Sequence, residues 1–296
     1  MRITLITLFV LIPLSIAVAD VTQTVQAADA LHDKGMYADA RTLVLNAVAT
    51  AATGKDQAEL YWRASRETLE LGDIADSAKK PTDTILALFA EGEGYADKAI
   101  AADPQNDLGY YWKSSNIGRW GQVKGILNSL FKAGPMKDLL VKDLSLNPDR
   151  SDAYYVLGQL YREVPGWPVS FGNADVAVSL GRKAVDVRQA QVQAGKEPQL
   201  VYNFITELAK TLYKRNWSAA TRLSEQKNKA TRLAAATTPL DKGSAYEASV
   251  TLKNMSDREE AKALVLGVVN DMQALPSLSA PDAKDLQKAK DVLKGW

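Results

Sequence analysis

One histidine, no cysteine and a near-even balance of acids and bases limit the chemistry this 296-residue chain can do. Without cysteine there is no disulfide, no thiolate nucleophile, no Cys-ligated zinc, no iron–sulfur cluster and no lipid-modified N-terminal cysteine. Any acid–base catalysis by histidine must fall to His32, which sits among Asp29, Asp33 and Lys34 and reads as a hydrogen-bonded surface residue. No HExxH, Walker loop, GxGxxG, GxSxG or EF-hand spacing occurs. Asp103 to Asp107 resembles a calcium loop until Pro104 and Gln105 break it, and it reads instead as a helix stop. Glu91-Gly92-Glu93-Gly94 could suggest a metal, but glycines inside a helix more often admit a close neighbour. Carboxylate pairs are spread over the surface with none singled out. The residues therefore point to no enzyme, no cofactor and no metal. The formal charge of +1 gives no electrostatic footprint for nucleic acid.

Residues 1–19 read as a cleaved signal peptide. Arg2 is a minimal positive segment, Ile3 to Val18 is apolar, and Ala17-Val18-Ala19 fits the small-x-small cleavage rule, leaving Asp20 first. The apolar run is short for a membrane span and contains Pro13. Losing Arg2 leaves bases and acids balanced. A secreted chain without cysteine fits a bacterial periplasm, with no transmembrane span after cleavage.

From Asp20 onward apolar residues recur at three- and four-residue spacing, and no β-type alternation is sustained. The pattern predicts an all-α protein with helices over 20–34, 37–52, 56–71, 82–102, 107–120, 122–132, 136–146, 151–163, 174–194, 198–214, 217–236, 241–252, 257–273 and 281–294. Residues 20–296 form one domain, with no linker to divide it. Asp103-Pro104 and Asn147-Pro148 stop helices, and Asp107 and Ser151 are the expected caps of the next ones.

The clearest internal unit is Tyr154-x-x-Leu157-Gly158-x-x-Tyr161, followed by Ala177 and, seven residues on, Ala184. Gly158 marks a close crossing of two helices, and the two alanines share one face of the second. Weaker copies include Ala40 and Ala47; Tyr61, Ala64 and Gly72, closed by Ala99 to Pro104; and Tyr110 and Ser114, closed by Asn147-Pro148. This pattern resembles the tetratricopeptide (TPR) repeat. The resemblance implies a superhelical array of antiparallel helix pairs over about 20–52, 56–104, 107–148, 151–194 and 198–236, with extra C-terminal helices over 241–296. The middle units exceed the ~34-residue standard. Their extra residues fall at 73–87, 121–136 and 163–173.

In TPR proteins the first helix of each pair lines a concave groove. Carried onto this chain, the groove-facing positions are Trp62, Arg66 and Glu70; Tyr111, Ser115 and Arg119; Tyr155, Gln159 and Arg162. The resemblance thus implies three aromatics and three arginines on one wall, a surface suited to an anionic ligand or an acidic partner side chain. The same aromatics could equally be packing between helices, and Glu70 and Glu163 are the obvious internal acids for the arginines. Trp112 reads as core, and Trp120 as closing either the groove or the core. The insert Val164 to Asn173 carries Trp167 and Phe171, costly on a loop unless buried or used in binding.

Irregular arrays with such an insert resemble two families. One is the periplasmic T component of tripartite TRAP-type transporters, often a lipoprotein, although this chain lacks the cysteine. The other, more distant, is the regulator-of-microtubule-dynamics family, through Ala99 to Pro104, Tyr110-Tyr111-Trp112 and the block Asn147-Pro148 to Tyr161. The implied function is a non-enzymatic periplasmic binding or adaptor protein, holding a partner such as a solute-binding protein, or a small ligand, in its groove. The alternative is a cell-envelope scaffold acting through its convex surface. A homo-oligomer is compatible with either.

Overall fold

The computed structural model describes residues 21–197 and 202–296. The expected signal peptide, with its cleavage site, lies outside them. Among the described residues the chain forms fourteen α-helices and two short 3₁₀ turns, with no strand beyond one isolated bridge between Gly166 and Gly172. No helix in this set is long and apolar enough to cross a membrane.

Helix α1 (Val21–Asp33) and α2 (Tyr37–Val48) form the first pair, joined by a turn in which Gly35 takes φ +72°. Glycine pays no Cβ penalty there. Helix α3 (Gly54–Ser77) opens with a reciprocal cap between Thr53 and Asp56 and packs on α4 (Thr82–Ala102). Asp103 and Pro104 end α4, and Asp103 accepts from the Gln105 backbone N–H through its side chain, so this segment is a helix stop. Helix α5 (Asp107–Lys124) pairs with α7 (Ala133–Leu146), and α8 (Ser151–Glu163) with α9 (Ala174–Gln193). Successive pairs also touch, α2 on α3, α4 on α5, α7 on α8, and α9 on α10 (Tyr202–Arg215). That succession is compatible with the expected repeat array.

Four details differ from the expectations. Helix α3 runs six residues past 71, because Gly72 does not end it. Gly72 lets α4 approach instead: a Cβ there would stand 2.5 Å from the Phe89 ring. Helix α5 likewise continues through Gly121 and stops at Gly125, where φ is +92°; the short α6 (Ile126–Ser129) and a 3₁₀ turn over Leu130–Lys132 follow. The caps of α5 and α8 sit one residue earlier than expected. Asn106 accepts from the Gly109 N–H, whereas Asp107 and Ser151 are first helical residues and Arg150 gives no side-chain cap. Finally, α10 packs on α9 and on α13 (Asp257–Ala274), while α11 (Ala219–Ala235) packs against α12 (Pro239–Ser244) and the 3₁₀ turn Tyr246–Ser249. The degenerate fifth repeat is therefore split. The expected helix 241–252 is replaced by α12 and that 3₁₀ turn, and Gly243 lies close against Tyr154 and Leu180.

Helix α14 (Ala280–Lys294), capped by Ser279 and Asp282, buries Leu286 and Ala289 in a C-terminal core with Val265, Val268, Met272, Leu208 and Leu212. A second core joins Ile117, Met136, Leu140, Tyr154, Leu157, Leu180 and Phe204.

The Gly92–Gly94 doublet separates into two roles. Gly92 is pressed against the Asn116 side chain, which lies beside Ser65, whereas a Cβ on Gly94 meets nothing within 4 Å. Gly94→Ala should stabilise by about 0.5–1 kcal/mol through helix propensity alone. Gly92→Ala should destabilise. Urea unfolding of the two variants checks the opposite signs, and a loss of stability in Gly94→Ala would contradict the packing described.

Candidate functional site

The positions expected to face a groove divide into two sets. Tyr111, Ser115 and Arg119 on α5, with Tyr155 and Gln159 on α8, line one cavity of about 660 Å³, together with Glu70 and Asp73 on α3. Lys288 of α14 and Asn203 of α10 also line it, and Ile126, Leu130, Met136 and Leu160 supply apolar wall. Trp62, Arg66 and Arg162 lie outside it. The reason is local. Helix α1 packs across α3, so Trp62 is only 6% exposed, with the guanidinium of Arg63 4.0 Å above its ring. Arg66 bonds Asp29 of α1 at 2.7 Å and Glu67 at 2.8 Å. Helix α10 covers α8 in the same way. Arg162 is 6% exposed and donates to the Glu207 backbone carbonyl and Thr211 Oγ1, with ion pairs to Glu163 (2.7 Å) and Glu207 (2.6 Å).

The three guanidinium groups therefore do not share one wall, and each meets internal acids. Arg119 alone reaches the cavity, bonded to Asp73 at 2.6 Å, Asp76 at 3.3 Å and Gln122. The expected partners of the arginines were Glu70 and Glu163. Glu163 fills that role for Arg162, whereas Glu70 makes no hydrogen bond or ion pair with any described residue. Burial, then the neighbouring Asp73, pushes the Glu70 carboxyl above its ordinary range, with His32 and Arg66 acting weakly the other way. Burial likewise lifts Asp73, although Arg119 beside it works against that.

The aromatics share their roles between packing and lining. Tyr155 stacks on Phe204 at 4.2 Å between ring centres, and Gln159 stabilises its oxygen. Tyr111 stands edge-on to Trp112 at 5.0 Å, with the Arg150 guanidinium 5.6 Å from its ring centre. Burial drives both tyrosine hydroxyls far above their usual range, so both stay neutral donors. Trp112 is partly buried beside Leu69 and Phe89 and also lines the cavity. Trp120 meets Phe131 edge-on, with Lys132 4.8 Å over its ring.

The insert separates its two aromatics as well. Phe171 packs edge-on to Tyr161 at 5.1 Å, under Lys137. Trp167 is 89% exposed and touches neither cavity nor core. His32 Nδ1 donates to Glu67 Oε2 at 2.9 Å, and its ring leans on Tyr37. Among the described residues, no group of three or more His, Asp or Glu is placed to hold a metal ion.

Sequence reasoning missed Asp73, Lys288 and Asn203 at this site. Asp73 follows Glu70 by three residues on the same helix, beyond the end at 71 that the periodicity predicts. Nothing local marks Lys288 or Asn203, because α14 and α10 arrive through tertiary packing.

Comparison with known proteins supports one of the two resemblances. A family model described as regulator of microtubule dynamics protein 1-3 matches residues 24–169. Regulator of microtubule dynamics protein 1 of cattle (Bos taurus) is 26% identical over 152 residues, which is 50% of this chain and 44% of that relative. The chain thus spans less than half the length of the curated relative it matches. The matched stretch runs from α1 through α8 and holds most of the cavity's lining, so in this half the chain is similar to the regulator-of-microtubule-dynamics family.

Proposed function

We propose that the protein is a non-enzymatic binding module that holds a segment of a partner protein in the cavity between α3, α5 and α8. The carrying observation is that Tyr111, Ser115, Tyr155 and Gln159, from two separate helix pairs, converge on one 660 Å³ space. That volume falls in the range of ligand pockets, and apolar wall with a few polar groups is the composition such pockets have. The relative's name, a regulator of microtubule dynamics, is in keeping with work done by contact with another protein.

A photo-crosslinking residue placed at Gln159 tests the reading in the native host. Adducts to one partner are expected from Gln159 and none from the exposed outer position Lys253. Equal labelling from both sites, or none from Gln159, would count against it.

Export to a bacterial periplasm rests on the sequence of residues 1–19, and with it the proposal that the partner is a transporter's solute-binding protein. N-terminal sequencing of protein from the native envelope should begin within a residue or two of Asp20. Mature protein that keeps Met1 would remove the periplasmic part of the proposal and leave the binding module standing.

A second reading, a scaffold acting through its outer surface, is favoured by the exposed Leu127 (77%), Phe131 (70%) and Trp167. Serine at all three should abolish assembly under that reading and leave crosslinking from Gln159 unchanged under the first.

A further inference from the structure

Six charged side chains line the cavity: Glu70, Asp73 and Glu163 against Arg119, Lys132 and Lys288. Five of them are paired. Arg119 holds Asp73, Glu163 holds Arg162, Lys132 holds Glu93 at 2.7 Å, and Lys288 holds Glu207 at 2.7 Å. Every cation of the lining is thereby neutralised by an acid of this chain. Glu70 is the exception, a half-buried carboxylate facing the cavity with no donor among the described residues. Its nearest bases are spoken for: Arg66 bonds Asp29 and Glu67, and His32 bonds Glu67.

A partly desolvated carboxylate without a partner is costly, and a protein tolerates such a group where a ligand completes it. Tyr111 and Trp112 line the same space, and aromatic rings beside a carboxylate suit a cation better than an anion. The free valence of the cavity is therefore an acceptor, the reverse of what three unpaired arginines would have made.

We propose that the cavity recognises a lysine- or arginine-bearing segment of a partner protein, whose cationic side chain donates to Glu70. This rests on the reading of the cavity as a partner-binding site and adds the charge of the partner to it.

The test uses phage-displayed random dodecapeptides selected on the whole mature chain, on Glu70→Gln and on Glu70→Lys. The wild type should enrich peptides carrying Lys or Arg at one fixed position. Replacing that residue by Gln in the synthetic peptide should weaken binding at least tenfold. Glu70→Gln should show the same loss at a melting temperature no lower than wild type, and Glu70→Lys should select acidic residues at that position instead. A structural role for Glu70 would not produce this switch.

Enrichment of neutral or acidic peptides by the wild type, or basic selection that survives Glu70→Gln, overturns the inference. If those peptides are still displaced by filling the cavity with Gln159→Trp, the binding-module reading stands without it. No enrichment on any of the three proteins overturns both. Spermidine binding more tightly than every selected peptide would overturn the assignment to a protein segment.

Discussion

Replacing Glu247 by alanine should destabilise the protein by about 3–5 kcal/mol, the cost of removing one partner from a buried ion pair. Glu247 is 2% exposed and receives Arg182 Nε at 3.0 Å, Arg215 through two nitrogens at 2.6 and 2.9 Å, and Lys229 at 2.5 Å. Around it, Asp257 takes Arg215 and Arg222, Glu260 takes Arg182 and Arg222, and Asp175 takes Arg215 and Lys229. Four buried cations meet four carboxylates, the exposed Arg232 adds a fifth cation at Asp175 (3.4 Å), and the Trp217 ring lies 4.2 Å from the Arg215 guanidinium. Removing Glu247 leaves four buried cations sharing three acids that are already engaged. Glu247→Gln keeps the volume and should still cost more than 2 kcal/mol, because a neutral amide cannot answer three donors. A urea midpoint within error of wild type for both variants would show that the cluster is open to water in solution.

The same cluster sets an acid limit. Burial alone would raise Glu247, but Arg215, then Lys229 and Arg182, hold its carboxyl well below the ordinary range. Glu207 is treated alike: burial is outweighed by Arg162, Lys288 and Lys210, and its pKa falls to about 2. A carboxyl whose pKa is lower folded than unfolded adds stability that is complete above the unfolded value, near 4.5, and is lost as pH falls toward the folded one. The contribution of Glu247, read as the difference in unfolding free energy between wild type and Glu247→Gln, should therefore be constant from pH 7 to about 5 and shrink steeply below 4.5.

Gly158→Leu should cost about 1–3 kcal/mol or more by overpacking α8 against α9. A Cβ at Gly158 would already stand 3.3 Å from the Ala177 carbonyl oxygen and 3.4 Å from the Gly181 nitrogen. These neighbours are backbone, so they cannot rotate away, and three further carbons have nowhere to go. Ala177, fully buried on the opposing helix, should respond to leucine in the same direction. Calorimetric melts of both variants matching wild type would mean that α8 and α9 do not cross at these residues.

That crossing was legible in the sequence because Gly158, Ala177 and Ala184 repeat at helical spacing. The helices themselves follow from apolar periodicity, together with Pro and Gly punctuation and Asn, Ser or Thr caps. At the site, the α5 and α8 positions were readable for the same reason: Tyr154 and Leu157 fix which face is core, and Tyr155 and Gln159 must then face elsewhere. The ends of the row were not readable. Whether Trp62 and Arg162 are open or covered depends on how α1 and α10 lie across α3 and α8, and nothing in the residues themselves encodes that. The charge cluster around Glu247 was invisible because its pairs join residues far apart in the chain, with no period to betray them.

That separation bears on the order in which the protein can be made. The pairs α1–α2 and α3–α4 meet partners that are next to them in sequence, so they can pack as soon as they leave the ribosome. Arg182 has no such neighbour. Its acids lie 65 and 78 residues downstream, at Glu247 and Glu260. While α9 and α10 wait for them, Arg182 and Arg215 stay hydrated and cannot enter the interior. The C-terminal half is thus withheld from completion until residues 247–260 have been synthesised. A chain interrupted before that point carries a folded amino-terminal half joined to a cationic, unsealed remainder.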